Sequence, residues 1–338
     1  MSEPRASIPA GVTTGIGSLP HHNIDSALEY AFRFGIPFLP QIPLRNGWEF
    51  SIPQALEGLP GIRLEKDGVA LLDPGVWVGR AKAFEEKLNH AFEQADATDA
   101  FAAFEPSAAT SSSWQPFLWE LQERGARFAK VQIVGPLTAQ WTLRSTDGRL
   151  DTEGLSGPVF RLILARALAM CRRLTQMGVA PLLFIDEPAL FVFSPENPSH
   201  LLALGELKLL VAALKKEGVT VGIHCCSNTR WEHLLPTGID FLSLDTHLSL
   251  QSLLSQPEAV DAFLQRGGRF AFGIVPTSGE PDYSALVPQL LRREVRAAFV
   301  DTLGERRAAA ALEPALWTPA CGLALHSPKD AETVLSLL

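Results

Sequence analysis

The stretch "TVGIHCCSNT", residues 220–229, passes from Val221, Gly222 and Ile223 into a histidine, two adjacent cysteines and a turn-forming Ser-Asn pair. A short apolar run that stops abruptly on polar residues reads as a strand covered on both faces, the kind that builds parallel sheets. Seven more runs of this type recur along the chain: "TTGIGS" (13–18), "PFLPQIPL" (37–44), "FAKVQIVGP" (128–136), "PLLFIDEP" (181–188), "DFLSLDT" (240–246), "RFAFGIVP" (269–276) and "LWTPACG" (316–322).

Between them lie amphipathic segments at 24–35, 158–178, 199–217 and 285–305, and a shorter one from 328. The first carries capping residues Asn23 and Asp25 and closes on Gly35. Strand and helix alternate, so the economical reading is a single α/β domain over 1–338, a (β/α)8 TIM barrel. The surplus over the ~250 residues typical of that fold falls between the second and third strands. It forms an insertion at 45–127 with helical patterns near 80–104 and 114–125. A doubly wound open sheet is the alternative, but no GxGxxG opens a helix after the first strand.

The composition excludes several classes of function. The 338 residues are 46% hydrophobic, enough to bury a large core, and carry a formal charge of -8, with no basic run to grip phosphates. Nucleic acid is therefore not an expected partner. No stretch reaches the ~18 uncharged apolar residues of a membrane span, and the N-terminus lacks the charge and apolar pattern of a leader. The expected localisation is cytoplasmic. In that reducing setting, four cysteines point to metal binding or catalysis rather than to a disulfide framework.

In a barrel, chemistry gathers where the strands end. Ser18, Asp186, Glu187, His224, Cys226, Asp245 and Cys321 all fall at such ends. Residues two apart on a strand share a face, so if His224 faces the barrel mouth, Cys226 does too, and Cys225 faces the helical layer. With Asp245 from the next strand and Cys321 from the last, this gives an N, S, O, S set suited to tetrahedral Zn2+. The same residues also read as packing, a buried cysteine beside a histidine bonded to a backbone carbonyl. The adjacent acids in "FIDEPAL" (184–190) read as a pair of solvated loop acids, as a helix N-cap, or as a site where Asp186 holds a substrate ammonium.

Taken in order, "IGS", "RNGWEF", "GPLT", "IDEPAL", "HCC" and "PACGL" resemble the uroporphyrinogen decarboxylase and methionine synthase superfamily. The specific resemblance is to the C-terminal catalytic barrel of cobalamin-independent methionine synthase. It implies a zinc ion on His224, Cys226, Asp245 and Cys321, with His224, Cys226 and Cys321 at the catalytic centre. It also implies homocysteine bound through its carboxylate at Ile16, Gly17 and Ser18 and through its amino group at Glu49 and Asp186. The implied activity is methyl transfer to a thiol, a step of methionine biosynthesis.

The sequence departs from that family in three respects. Asp245 stands where the family carries glutamate, and His247 is the other candidate for that corner. Ser278 stands near the place of a histidine that assists a folate leaving group. The second, N-terminal barrel of the long methionine synthases has no counterpart here. The last two departures turn the expected donor from folate to a methylcorrinoid, carried on a partner protein, with Trp141 as a donor-side aromatic. A coenzyme M-like thiol is the alternative acceptor. A uroporphyrinogen-type decarboxylase would need arginines where only Arg45 is near, and a barrel that binds zinc or a corrinoid protein without turnover is the non-enzymatic reading.

Overall fold

A computed structural model describes residues 8–65, 68–146, 155–279 and 281–338. Among these, the principal sheet has six parallel strands in chain order: β1 (Phe128–Val134), β2 (Ala180–Asp186), β3 (Thr220–Cys225), β4 (Phe241–Asp245), β5 (Arg269–Val275) and β6 (Leu316–Pro319). Helices intervene between them, among them Ser156–Gln176 before β2 and Pro198–Lys216 before β3. A covering helix on each crossover is what keeps neighbouring strands parallel.

Two extended segments, 12–18 and 36–41, lie between the free edges of this sheet as isolated bridges rather than ladders. Trp317 N donates to the Val12 carbonyl at 3.0 Å and Thr14 N to the Trp317 carbonyl at 3.1 Å, which ties the first segment to β6. Lys130 N donates to Pro37 O at 2.8 Å and Leu39 N to Lys130 O at 2.9 Å, which ties the second to β1. Gln41 N to Gly17 O, at 3.0 Å, joins the two segments. The sheet therefore curls in a TIM-barrel-like manner. The first two runs expected as strands appear only as these bridges, because Gly15, Gly17, Pro37 and Pro40 interrupt regular pairing.

Alternation sorts the strand residues into two apolar layers. In β2, Leu183 and Ile185 pack outward against the helices, whereas Leu182 and Phe184 pack inward with Phe241, Ala271, Leu316 and Ile36. Continuing the inward series brings Asp186 to the mouth. In β3, Val221, Ile223 and Cys225 join the outer layer, so His224 faces in. In β4, Leu242 and Leu244 face out and Phe241 in, which sends Ser243 and Asp245 inward. Gly222 has room for nothing larger, since a Cβ there would lie 2.4 Å from the buried Phe184 ring.

The segment between residue 45 and β1 holds a short helix Ser51–Ala55, antiparallel strands Ile62–Leu64 and Ala70–Leu72, and helices Pro74–Glu93 and Trp114–Glu123. The long helix begins six residues before the expected position 80 (80 minus 74) because Asp73 caps it, with Oδ1 accepting from Val76 N at 3.1 Å, and Pro74 opens its first turn. It stops at Glu93, and 94–104 are turns and one 3-10 turn. Arg144–Ser145 adds a third, parallel strand; this small sheet was not visible in the sequence, because strands of two or three residues lie below the length at which alternation registers. No helix among the described residues is long and apolar enough to cross a membrane.

Candidate metal centre

At the C-terminal end of the curled sheet, His224, Cys226 and Cys321 come together, with one ligand atom from each lying within 4.8 Å of the others. His224 ends the inward series of β3, and Cys226 follows one residue past that strand. Cys321 comes from the bend two residues after β6 ends at Pro319. Cys225 is fully buried in the outer apolar layer, and burial pushes its thiol up to about 11.

The His224 ring is held from one side only. Its Nδ1 lies 2.9 Å from Ser243 Oγ on the neighbouring strand, where the two residues are in register. Its Nε2 is buried and has no hydrogen-bond partner, and the His224 ring pulls the Cys321 thiol downward against the stronger upward push of Cys226 and burial. A buried polar atom without a partner costs about 1–3 kcal/mol unless something binds it. The two sulfurs are hydrogen-bonded as a pair, which lowers the Cys226 thiol and raises that of Cys321. Two sulfurs and one open imidazole nitrogen form a donor set that fits Zn2+. Ser243 supplies the outer support that fixes the tautomer and orientation of a ligating histidine.

Asp245, the fourth residue expected at the metal, is not in this group. It caps the helix Thr246–Leu254, its Oδ1 accepting from His247 N at 2.8 Å and Leu248 N at 3.2 Å. The helix begins directly after it, so the two-residue strand period that would put His247 on the same face no longer applies. The His247 Nε2 instead lies 2.9 Å from the Ile274 carbonyl.

The two acids of "IDEP" part ways. Glu187 is fully buried and accepts from Leu137 N at 3.0 Å, Thr138 N at 2.8 Å and Thr138 Oγ1 at 2.6 Å, tying the start of the helix Pro136–Thr142 to β2. Burial nonetheless pushes its carboxyl up to about 7. Asp186 faces inward, in register with His224, and its Oδ1 is buried without a partner. Burial raises its pKa, and the charges of Lys130 and His224 pull it back.

Lys130 was not singled out in the sequence, although a lone lysine inside an apolar strand was a signal. It is buried in the interior of the curled sheet, 5.4 Å over the Phe184 ring, and donates to the Ile16 carbonyl and, at 3.1 Å, to Gln132 Oε1. Burial pushes it down to about 8, against the pull of Asp186.

These groups border a cavity of about 470 Å3, whose walls include Ile16, Ser18, Asp186, His224, Cys226 and Cys321. Asp245 and Ser278 also line it. Gly17 lies behind the wall at φ +154°, where a Cβ would come within 2.6 Å of Gln132 Nε2. Glu49 does not line the cavity; it is buried, accepting from Ile42 N at 3.0 Å and from Ser112 N and Oγ at 3.2 and 2.5 Å. Trp141 packs on His200, with ring centroids 4.1 Å apart, and does not line the cavity. His326, missed in the sequence because no motif surrounds it, does line it, with Nε2 2.8 Å from the Thr277 carbonyl.

The sequence matches no protein-family model and no curated protein. Among solved structures it is similar to a B12-independent methionine synthase from a Shewanella species, solved in complex with selenomethionine. That match has 14% identity and a TM-score of 0.46 over 65% of this chain and 64% of the other. It is also similar to a methyltransferase from Methanosarcina mazei, at 15% identity and a TM-score of 0.45, over 71% of this chain and 64% of the other. The chain thus spans less than two thirds of the length of either structure.

Proposed function

We propose that this chain is a zinc-dependent S-methyltransferase that methylates a thiol, with homocysteine the favoured acceptor and methionine the product. The reading takes the fold as a single (β/α)8 barrel whose first two strands are the bridging segments 12–18 and 36–41, and 45–127 as its insertion. The observation that carries the function is the meeting of a His224 ring nitrogen with the Cys226 and Cys321 sulfurs at the mouth of a cavity. Three N and S donors beside an open space suit a catalytic zinc, whereas structural sites close with four protein ligands, commonly from closely spaced pairs. The chemistry zinc supplies when bound is deprotonation of a thiol with a free pKa of about 8.5, leaving a usable nucleophile.

The chain's own residues do the rest. Ser243 engages Nδ1 of the His224 ring and leaves Nε2 free for the metal. Asp186, partnerless at Oδ1, receives the acceptor's ammonium, and the turn at Ile16, Gly17 and Ser18 receives its carboxylate. Glu49 fixes the wall behind that turn through Ile42 and Ser112.

Elemental analysis of the purified protein tests this reading. The expected result is about one zinc per chain, lost in Cys226→Ser and in Cys321→Ser, with helical content unchanged by circular dichroism. Protein prepared without chelator that carries no zinc and takes none up would withdraw the reading.

A further inference from the structure

The cavity wall bears carboxylates and imidazoles but, among the described residues, no lysine or arginine. Lys130, a buried cation whose charge reaches Asp186, is committed to the Ile16 carbonyl and Gln132 inside the barrel. Asp186 and Asp245 flank His224. Asp186 is in register with it across β2, and Asp245 lies two residues beyond Ser243, its register partner across β4. Asp186 is 9% exposed and lacks a partner for Oδ1. The rest of the wall is mainly carbon, from Phe50, Pro188, Leu248 and Leu325, the last 88% exposed, interspersed with hydroxyl groups such as Ser51 and Thr277. Such a wall offers no cationic side chain to an anionic donor. It suits a small cation, whose charge meets a carboxylate and whose methyl groups meet carbon and an aromatic face.

Resting on the reading above, we propose that this cavity takes its methyl donor as a small methylated onium ion, a sulfonium or quaternary ammonium, with Asp245 its counter-charge and Asp186 left to the acceptor's ammonium. The step balances without an acid. The acceptor thiol gives its proton to solvent, and its sulfur lone pair forms the new S–CH3 bond. The donor's methyl–onium bond breaks with its electron pair, releasing a neutral sulfide or amine. A leaving group that departs neutral needs no proton, which agrees with Ser278 standing near the place of an acid. It also agrees with His326, the other imidazole on this wall, having one ring nitrogen engaged by the Thr277 carbonyl.

The test uses zinc-loaded protein and trimethylsulfonium as probe, with tert-butanol as a neutral control of similar size. Binding is followed by saturation-transfer NMR, and transfer to homocysteine by released dimethyl sulfide. The expected result is binding at least about tenfold tighter for the cation. Asp245→Asn, which keeps the helix cap, and Leu325→Lys, a rim change on an exposed side chain, should each weaken the cation severalfold and leave tert-butanol unchanged. Dimethyl sulfide should appear in step with methionine. Equal binding of the two probes, insensitivity to both variants, or binding without dimethyl sulfide would overturn the proposal. Protein that binds zinc and methylates homocysteine from methylcobalamin but ignores trimethylsulfonium would sink the onium donor alone. Protein that holds no zinc would sink the proposed function itself.

Discussion

Asp186 and Glu187 are neighbours in sequence and opposites in environment. Asp186 presents a partnerless oxygen to the cavity, while Glu187 is saturated by the start of the next helix. If Asp186 holds the acceptor's ammonium, Asp186→Asn should raise KM for homocysteine about 10- to 100-fold, the worth of one charge-assisted hydrogen bond. It should leave 2-mercaptoethanol, which has no amino group, nearly unaffected; equal losses would contradict the assignment. Glu187 makes a different prediction. Its carboxyl sits at about 7 in the fold against an ordinary 4.5, so between those values the folded state binds more protons than the unfolded one. Stability from this group is therefore present below about pH 4.5 and lost as pH rises through about 7, by up to about 3 kcal/mol. Urea melts of Glu187→Gln should lack that part of the slope. A variant with the wild-type slope would show that the carboxyl is ionised throughout.

At the scale of elements, the inward faces of β2, β3 and β4 form one surface, and its packing sets where the donor atoms sit. Gly222→Ala would push a methyl into the Phe184 ring, an overpacking that costs about 1–3 kcal/mol. Because His224 lies two residues along the same face, the variant should also bind zinc more weakly. A chemical melt and a zinc titration check both, and an unchanged melt would mean that the ring relocates freely. This face was readable in the sequence. The period of two separated Cys226 from Cys225 and put Asp186 at the mouth, because a strand carries its alternation on its surface. What alternation could not show was where a strand gives way to a helix. Asp245 and His247 look like strand neighbours, yet a helix starts at Thr246 and makes one a cap and the other a partner of Ile274.

At the scale of the molecule, the alternating pattern predicted the parallel α/β curl and the clustering of polar residues at one end. Isolated bridges in place of the first two ladders, and the small sheet at 62–72, depend on contacts between distant residues that leave no local trace. The approach of Cys321 to His224 and Cys226 is likewise a product of sheet curvature. The barrel reading put Cys321 at a strand end with them, and the resemblance of "HCC" and "PACGL" to a known pair of ligand motifs made the grouping specific. The interior support, Lys130, Gln132 and Ser243, went unread because a buried polar residue gives no signal of its partner until the neighbouring strand is in place.

The central claim is that distant strands build one zinc site that accepts a substrate thiol, and X-ray absorption at the zinc edge tests it directly. For the resting protein, the account predicts two sulfurs at about 2.3 Å with nitrogen or oxygen at about 2.0–2.1 Å, and a third sulfur at about 2.3 Å once homocysteine is added. A shell without sulfur, or one that homocysteine leaves unchanged, would contradict it.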